Sequence, residues 1–386
     1  MQCVTEWERD NNNKKVEKNS MRILVVMNAS EVRLGGGIIK VIINLKKGFQ
    51  NKKEFLFDYA INEQLNSGVH DILQDNNSTF YQLPNKKKHF GAYVRCLYHI
   101  CRNGKYDAVH IHGSSNTMAV ELLCAYFAGI PKRIVHSHNS QCSHPLASSL
   151  LSPVMLLRTD ALACSKIAGE WLFGAANFEV LHNAFETDEF AYNEAVRKTE
   201  REKLSGCNDG TLVIGMVGNL TNQKNPLFAL EILHNLQDPC AIMVYVGDGD
   251  LKESIINKVH DYALEKQVLF LGVCTDVARK LQAMDVFLFP SKFEGLGISI
   301  LEAQIAGCKC IASDRVPEET KYSEDTRYLS LSNIKKWTEE IRQIQDEDLN
   351  SVNRRRKSLE SLKKIKEDYS LDNAVEQVSA IYLKKI

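Results

Sequence analysis

The sequence has no net charge: 48 lysines and arginines offset 48 aspartates and glutamates over 386 residues. A protein that coats nucleic acid needs a basic surplus to neutralise phosphates, so neutrality argues against that class. There is also no apolar run near the ~20 residues that a membrane-crossing helix requires. The best candidate, Met118 to Ile130, is too short and contains Glu121. The first 20 residues hold four acidic and four basic side chains and no hydrophobic stretch. They are not a signal peptide and read as a polar flexible extension. The 11 cysteines, an odd count without framework spacing, point to reduced cytosolic thiols rather than disulfides. Cys308 and Cys310 form C-x-C, not a zinc-type C-x-x-C. What remains is an ordinary globular composition, 44% hydrophobic, long enough for about two domains.

The zero conceals a split. Residues 21–185 hold 17 basic and 11 acidic side chains, net +6, and residues 186–386 hold 27 and 33, net −6. Opposite signs suggest two domains with different partners. The patterning agrees. Met21–Met27 reads as a buried parallel strand, followed by the Gly35-Gly36-Gly37 loop and a helix from Ile38 to Phe49. Further strands are expected at Phe55–Ile61, Ala108–His112 and Arg133–His138, with a helix from Met118 to Phe127. The alternation restarts after residue 190 with a strand at Leu212–Val217 and helix Leu227–Leu236. Strands Ala241–Val246, Val268–Leu271, Val286–Phe289 and Cys310–Ala312 follow, with helices between them. Alternating strands and helices imply α/β architecture with two doubly wound parallel sheets. The expected domains are 21–188 and 189–371, with a last helix at 372–386 packing back on the first.

The densest chemical signal runs from Asp285 to Glu302. A buried strand enters a Pro-Ser loop, then Glu294, Gly295-Leu296-Gly297, and a helix carrying Glu302 in its second turn. Glu294 precedes that helix and Glu302 lies within it, so the two carboxylates reach different parts of one ligand over the helix N-terminus. Free N–H groups and the positive dipole end there favour phosphate. A carboxylate accepts hydroxyl hydrogen bonds, which suits a ribose or hexose. Val217-Gly-Asn-Leu-Thr-Asn-Gln-Lys-Asn-Pro226 lies at the C-terminal end of the second domain's first strand, where open parallel sheets bind ligands. Lys224 in it is a point charge for a diphosphate. Asp248 and Asp250 form a D-x-D in a glycine turn and are read as turn residues.

These motifs, together with Val109–Gly113, Arg133–Asn139, Ala163–Lys166, Val180–Asn183 and Phe270–Val273, resemble the retaining glycosyltransferases of GT-B fold, family 4. The similarity is greatest to the bacterial exopolysaccharide and capsule group. The resemblance covers about residues 21–320. It implies two Rossmann-like domains facing across a cleft, with a nucleotide-sugar donor held mainly by the second. By the resemblance Glu302 holds ribose hydroxyls and Glu294 donor-sugar hydroxyls. Backbone N–H groups around Gly295, Leu296, Gly297 and Ile298, with Lys224, hold the diphosphate, and Val273 lies on the base-contacting loop. From the first domain Gly36 and Gly37 approach the phosphates, and His138 contacts the sugar near the reacting carbon. Two departures stand out. Asn219 replaces the family's usual arginine, offering a neutral hydrogen bond where a second cation is expected. Ile38-Ile39-Lys40 replaces an Ala-Glu-Thr-like run after the glycines.

Nine of the 11 histidines lie in residues 21–185, and His110, His112, His136 and His138 stand at two strand ends. Residues two apart on a strand share a face, so each pair shares a face without converging, and no metal is expected. The mechanism expected by resemblance needs no metal or other cofactor: Lys224 and a helix N-terminus offset the leaving diphosphate, and the acceptor attacks from the same face. The donor expected is a UDP-sugar. The acceptor expected is a polyprenyl-diphosphate-linked saccharide, in exopolysaccharide or capsule synthesis. Lys86–Lys88 followed by Phe90, Tyr93, Val94 and Leu97 reads as a basic, aromatic helix for an anionic leaflet. Arg354–Lys357 with Lys363, Lys364 and Lys366 is a second basic stretch. A cytoplasmic enzyme docked peripherally on the inner membrane face follows, without nucleic acid. The alternatives are a GT-B nucleotide-sugar epimerase and a non-catalytic nucleotide-sugar-binding subunit. An NAD dehydrogenase is disfavoured because the first loop lacks G-x-G-x-x-G.

Overall fold

A computed structural model describes residues 20–27, 37–61, 69, 72–74, 78–141, 145–208, 210–346 and 351–385. The chain divides into two compact units, residues 1–184 with 371–386, and residues 185–370. Each has its own sheet and core.

The first unit holds a seven-stranded parallel sheet ordered β3-β2-β1-β4-β5-β6-β7. Its strands are β1 (Met21–Met27), β2 (Phe55–Ile61), β3 (Phe80–Gln82), β4 (Ala108–Gly113), β5 (Lys132–Ser137), β6 (Asp160–Ala163) and β7 (Glu179–Val180). Its helices are α1 (Gly37–Gly48), α2 (Phe90–Asn103), α3 (Ala119–Ala128), α4 (Pro145–Leu151) and α5 (Lys166–Phe173). The central strands are apolar runs because both faces are covered: all six residues of β4 are buried. Helix α5 starts where the Ser165 hydroxyl accepts from the Ala168 amide at 3.2 Å, a side-chain cap for an otherwise unpaired N–H. The last helix of the chain, Leu371–Leu383, belongs to this unit. It buries Val375, Val378, Ile381 and Tyr382 in the same core as Ile39 and Ile42 of α1.

The second unit holds a six-stranded parallel sheet ordered β10-β9-β8-β11-β12-β13. The strands are β8 (Leu212–Val217), β9 (Ala241–Val246), β10 (Val268–Gly272), β11 (Val286–Phe289), β12 (Lys309–Ser313) and β13 (Thr326–Leu329). Its helices are α6 (Glu194–Glu202), α7 (Pro226–Leu236), α8 (Lys252–Asp261), α9 (Val277–Ala283), α10 (Ile298–Ile305), α11 (Ile334–Asp346) and α12 (Ser351–Tyr369). Strands β8, β9 and β11 are buried along their whole length. Trp337 of α11 is fully buried and meets Phe228 of α7 edge-on at 5.4 Å. Both sheets thus have the doubly wound form that the alternating apolar pattern implied. The order reverses between β1 and β4 in one unit and between β8 and β11 in the other. These are the switch points at which loops diverge and leave a ligand crevice beyond the strand ends.

Candidate active site

At the switch point of the second sheet, the loop after β8 and the loop after β11 are neighbours. Lys224 and Glu294, 70 positions apart, meet there in a 2.7 Å ion pair. The Lys224 ammonium also stands 4.7 Å from the ring centroid of Phe289, which ends β11. Gln223 ties the two loops together: its carbonyl accepts from the Lys292 amide at 2.8 Å and its side chain donates to the Phe293 carbonyl at 3.1 Å. Gln223 was not singled out from the sequence; its position beside Lys224 was the available signal. Glu294 is only 5% exposed. A buried carboxylate so placed is held by its partners rather than by water.

Gly295 and Leu296 are buried and carry the chain from Glu294 to Gly297. Gly297 has φ +96°, and a Cβ there would lie 2.8 Å from Phe289 Cε1. Glycine therefore satisfies both the left-handed backbone and the close packing. Ile298 opens α10, with Gly297 as its N-cap, whose carbonyl accepts from the Ile300 amide at 3.2 Å. Glu302 sits within the same helix and is 2% exposed.

Asn219 is half-buried in the β8 loop, and its carbonyl accepts from Thr221 N at 2.8 Å. Val273, just after β10, is 55% exposed. The glycine turns after β8 and β9 pack backbone to backbone. A Cβ on Gly247 (φ +139°) would lie 2.0 Å from the Gly218 carbonyl oxygen. The Leu220 amide donates to the Asp248 carbonyl at 2.9 Å. Asp248 caps its own turn through Gly249 N at 2.8 Å, so the D-x-D shapes the loop.

In the first unit Gly37 starts α1 and is exposed; Gly36 lies outside the described residues. His138 follows β5, and its amide donates to the Gly113 carbonyl at 2.9 Å. Its Nε2 lies 2.9 Å from His112 Nδ1. Burial drives the His138 imidazole down to about 3, so the ring is neutral near pH 7. The four strand-end histidines do not stay apart as expected. Strands β4 and β5 are adjacent, with His112 opposite His136. All four rings therefore gather on one face, and ring nitrogens of His110, His112 and His136 come within 4.8 Å of one another.

The second unit sets a cation, a buried carboxylate and the start of α10 close together in sequence and fold, with a second buried carboxylate, Glu302, within that helix. Residues 197–364 match the family model described as "Glycosyl transferases group 1". EpsF of Bacillus subtilis (strain 168) is 30% identical over 344 residues, 84% of this chain and 87% of EpsF. The chain belongs to the group 1 glycosyl transferases.

A second relative of this glycosyltransferase is the UDP-Gal:alpha-D-GlcNAc-diphosphoundecaprenol alpha-1,3-galactosyltransferase of Escherichia coli. It is 32% identical over 236 residues, 56% of this chain and 60% of that enzyme. The capsular polysaccharide glycosyltransferase CapH of Staphylococcus aureus is 22% identical over 82% of this chain and 88% of CapH. Among solved structures, Anabaena HepE in complex with UDP-glucose superposes with a TM-score of 0.76 at 15% identity, covering 93% of this chain and 98% of HepE. That likeness establishes the GT-B fold.

One charge of each basic stretch of the glycosyltransferase is drawn into the protein, Lys86 in the first and Arg354 in the second, while Arg355, Arg356, Lys363, Lys364 and Lys366 are exposed. Lys86 pairs with buried Glu121 at 2.8 Å, and Glu121 also accepts from the Tyr93 hydroxyl. Tyr93 and Leu97 are fully buried where α2 packs on α3. Lys87, Lys88, His89, Phe90, Gly91, Ala92 and Arg95 of that helix start are exposed. Arg354 is likewise buried, donating to the Met284 carbonyl at 2.7 Å and to the Ala306 carbonyl at 3.0 Å. Lys357 pairs with Asp325 at 2.6 Å. A buried carboxylate took up Lys86 and buried carbonyls took up Arg354, which a one-dimensional charge pattern cannot reveal. No helix of the described residues is long and apolar enough to cross a membrane.

Proposed function

We propose that this glycosyltransferase moves a hexose, with retention of anomeric configuration, from a UDP-sugar to a saccharide carried on a polyprenyl diphosphate. The observation that carries the reading is the Lys224–Glu294 pair at the switch point of the second sheet, with Glu294 shortly before Ile298, the start of α10. A diphosphate entering this crevice competes with the carboxylate for the ammonium. Once Lys224 turns to phosphate, Glu294 is released to accept hydroxyl hydrogen bonds from the sugar. Backbone N–H groups of Gly295, Leu296, Gly297 and Ile298 then share the diphosphate charge, Glu302 takes the ribose hydroxyls, and the loop at Val273 borders the base. Asn219 adds a neutral hydrogen bond, so Lys224 and the helix start carry most of the electrostatic load.

In the reaction the C1–O bond to the diphosphate breaks and its electron pair stays on the departing phosphate oxygen. The acceptor hydroxyl oxygen bonds to C1 on the same face, and its proton passes to that phosphate oxygen. Charge on the leaving group is met by Lys224 and oriented amides, so no divalent ion is required on it. The name of the Escherichia coli relative, with its diphosphoundecaprenol-linked acceptor, supports the lipid-linked substrate, and UDP complexes of HepE support the donor class.

Such an acceptor places the enzyme on the cytoplasmic face of a membrane as a peripheral protein. The exposed side chains of Phe90, Phe127, Leu146, Leu150 and Leu156 on neighbouring helical segments, with Lys87, Lys88 and Arg95, support this. Sedimentation with vesicles is expected to carry the protein down with anionic lipid at low salt. Equal recovery in the supernatant with and without anionic lipid removes the docking.

The reaction is tested with a synthetic GlcNAc-diphospholipid and a panel of UDP- and GDP-sugars, the product anomer being read by NMR. Retention of configuration and a rate unchanged by added Mg²⁺ are expected. Glu294→Gln is expected to lower turnover by about 100-fold or more. Unchanged turnover removes Glu294 from the site. Donor conversion without acceptor points to an epimerase, and donor binding without transfer or hydrolysis to a non-catalytic subunit.

A further inference from the structure

The histidine cluster of the first unit is unexplained by sugar transfer. His110 and His136 are fully buried and His112 is 1% exposed. A period of two puts His110 and His112 on one face of β4, and the in-register pairing of His112 with His136 brings β5 onto the same face. The rings of His110 and His112 lie 4.1 Å apart by centroid, those of His112 and His136 5.1 Å, and those of His110 and His136 5.4 Å. Three imidazoles in so little space are ordinarily justified by hydrogen bonds. Here His110 Nε2 and both ring nitrogens of His136 have none. A neutral imidazole carries one N–H donor and one lone pair, and His136 finds a partner for neither.

The nitrogens that are paired are the ones that leave ligand atoms available. His110 uses Nδ1 on the Tyr382 hydroxyl at 2.8 Å, and His112 uses Nδ1 on His138 Nε2 at 2.9 Å. Each therefore has Nε2 remaining. Metal-bound histidines characteristically hold their second nitrogen on an outer partner in this way. Burial first, and the neighbouring imidazoles second, keep these rings neutral, which is the form that binds metal.

We propose that His110, His112 and His136 form a binding site for a borderline divalent transition cation, Zn²⁺ foremost, inside the first unit. An all-imidazole set suits Zn²⁺, Co²⁺ or Ni²⁺ and disfavours Mg²⁺ and Ca²⁺, which take oxygen ligands. Nitrogens within 4.8 Å need to draw in by an ångström or so to reach ordinary metal–nitrogen lengths of about 2.0–2.1 Å. With Nε2 of His110 on the metal, its Nδ1 carries the proton and donates to Tyr382, tying the last helix of the chain to β4. With Nε2 of His112 on the metal, its Nδ1 donates to His138 Nε2 and fixes the tautomer of His138. The ion is a structural clip and takes no part in the departure of the diphosphate.

The test uses the full chain without a histidine tag, produced with zinc supplied, its metal content measured by mass spectrometry. About one zinc per chain is expected, falling several-fold in His136→Gln and in His110→Gln. Wild-type protein holding less than a tenth of an ion per chain, or zinc undiminished in both variants, overturns the proposal. Should a variant fail to fold, cobalt-loaded wild-type protein decides. Visible d–d bands with no thiolate-to-cobalt charge transfer support three histidines. A thiolate band places the ion on cysteine and overturns the site. A raised melting temperature on returning zinc to chelator-treated protein is the accompanying readout.

Discussion

Asp285 is the most heavily loaded buried charge of the second unit, and Asp285→Asn is the perturbation with the largest consequence. Its carboxylate is 3% exposed. It accepts from the Arg197 guanidinium, from Arg201 at 3.0 Å and from the Val213 amide at 2.9 Å, with Arg354 at 4.0 Å. The three guanidinium side chains are 17%, 13% and 8% exposed, so water screens them little. Burial pushes the carboxyl upward, but Arg197, Arg201 and Arg354 together outweigh it and hold it below the usual carboxylate range. Removing the charge strands three arginines, and breaking a buried ion pair from one side costs about 3–5 kcal/mol. The arginines keep backbone acceptors at Ala283, Met284 and Thr211, so the lower end of that range applies, about 3 kcal/mol. For a unit of this size that corresponds to a fall in melting temperature of roughly 6–12 °C. Trp337, buried in the same unit, reports the transition by fluorescence during thermal unfolding. A shift under about 2 °C in the Trp337 transition refutes the reasoning, because it means the arginines are satisfied without the carboxylate.

Glu200 gives a pH-dependent counterpart. Burial raises it, but hydrogen bonds from Lys203, Lys280 and Arg279 outweigh that and take it down to about 2. A depressed folded-state value means stability present above the unfolded value near 4.5 and lost as pH falls toward 2. Glu200→Gln is therefore expected to cost about 1–3 kcal/mol at pH 7, allowing for the partly exposed Lys203 and Arg279, with the gap to wild type closing between about pH 4.5 and 2 in urea melts. A gap independent of pH contradicts the assignment. Gly297→Ala must place a Cβ 2.8 Å from Phe289 in a left-handed backbone, and is expected to lose about 1–3 kcal/mol by the same melts. Lys224→Ala is expected to reduce kcat/KM for transfer by about 100- to 1,000-fold, and a loss under about threefold excludes Lys224 from diphosphate binding.

Much of the fold was legible because its signals are local. An apolar run such as Leu212–Val217 can only be a strand buried on both faces, and a glycine turn must follow where the chain reverses against its neighbour. The short strands β3, β6, β7 and β13 escaped notice: they lie at or next to a sheet edge and carry no continuous buried apolar run of the kind that marked β8 or β11. The sequence by itself determined the two parallel sheets, the glycine loops at the strand ends, and the residue types in them. Tertiary structure alone decided which of those residues meet. Lys224 reaches Glu294 because β11 lies next to β8, past the point where strand order reverses. Four histidines share one face because β4 and β5 pair with His112 opposite His136. Lys86 and Arg354 left the charged surface because Glu121 and the carbonyls around Arg354 are buried and need donors. Strand order, register and burial depend on partners distant in the chain, and a local pattern cannot encode them.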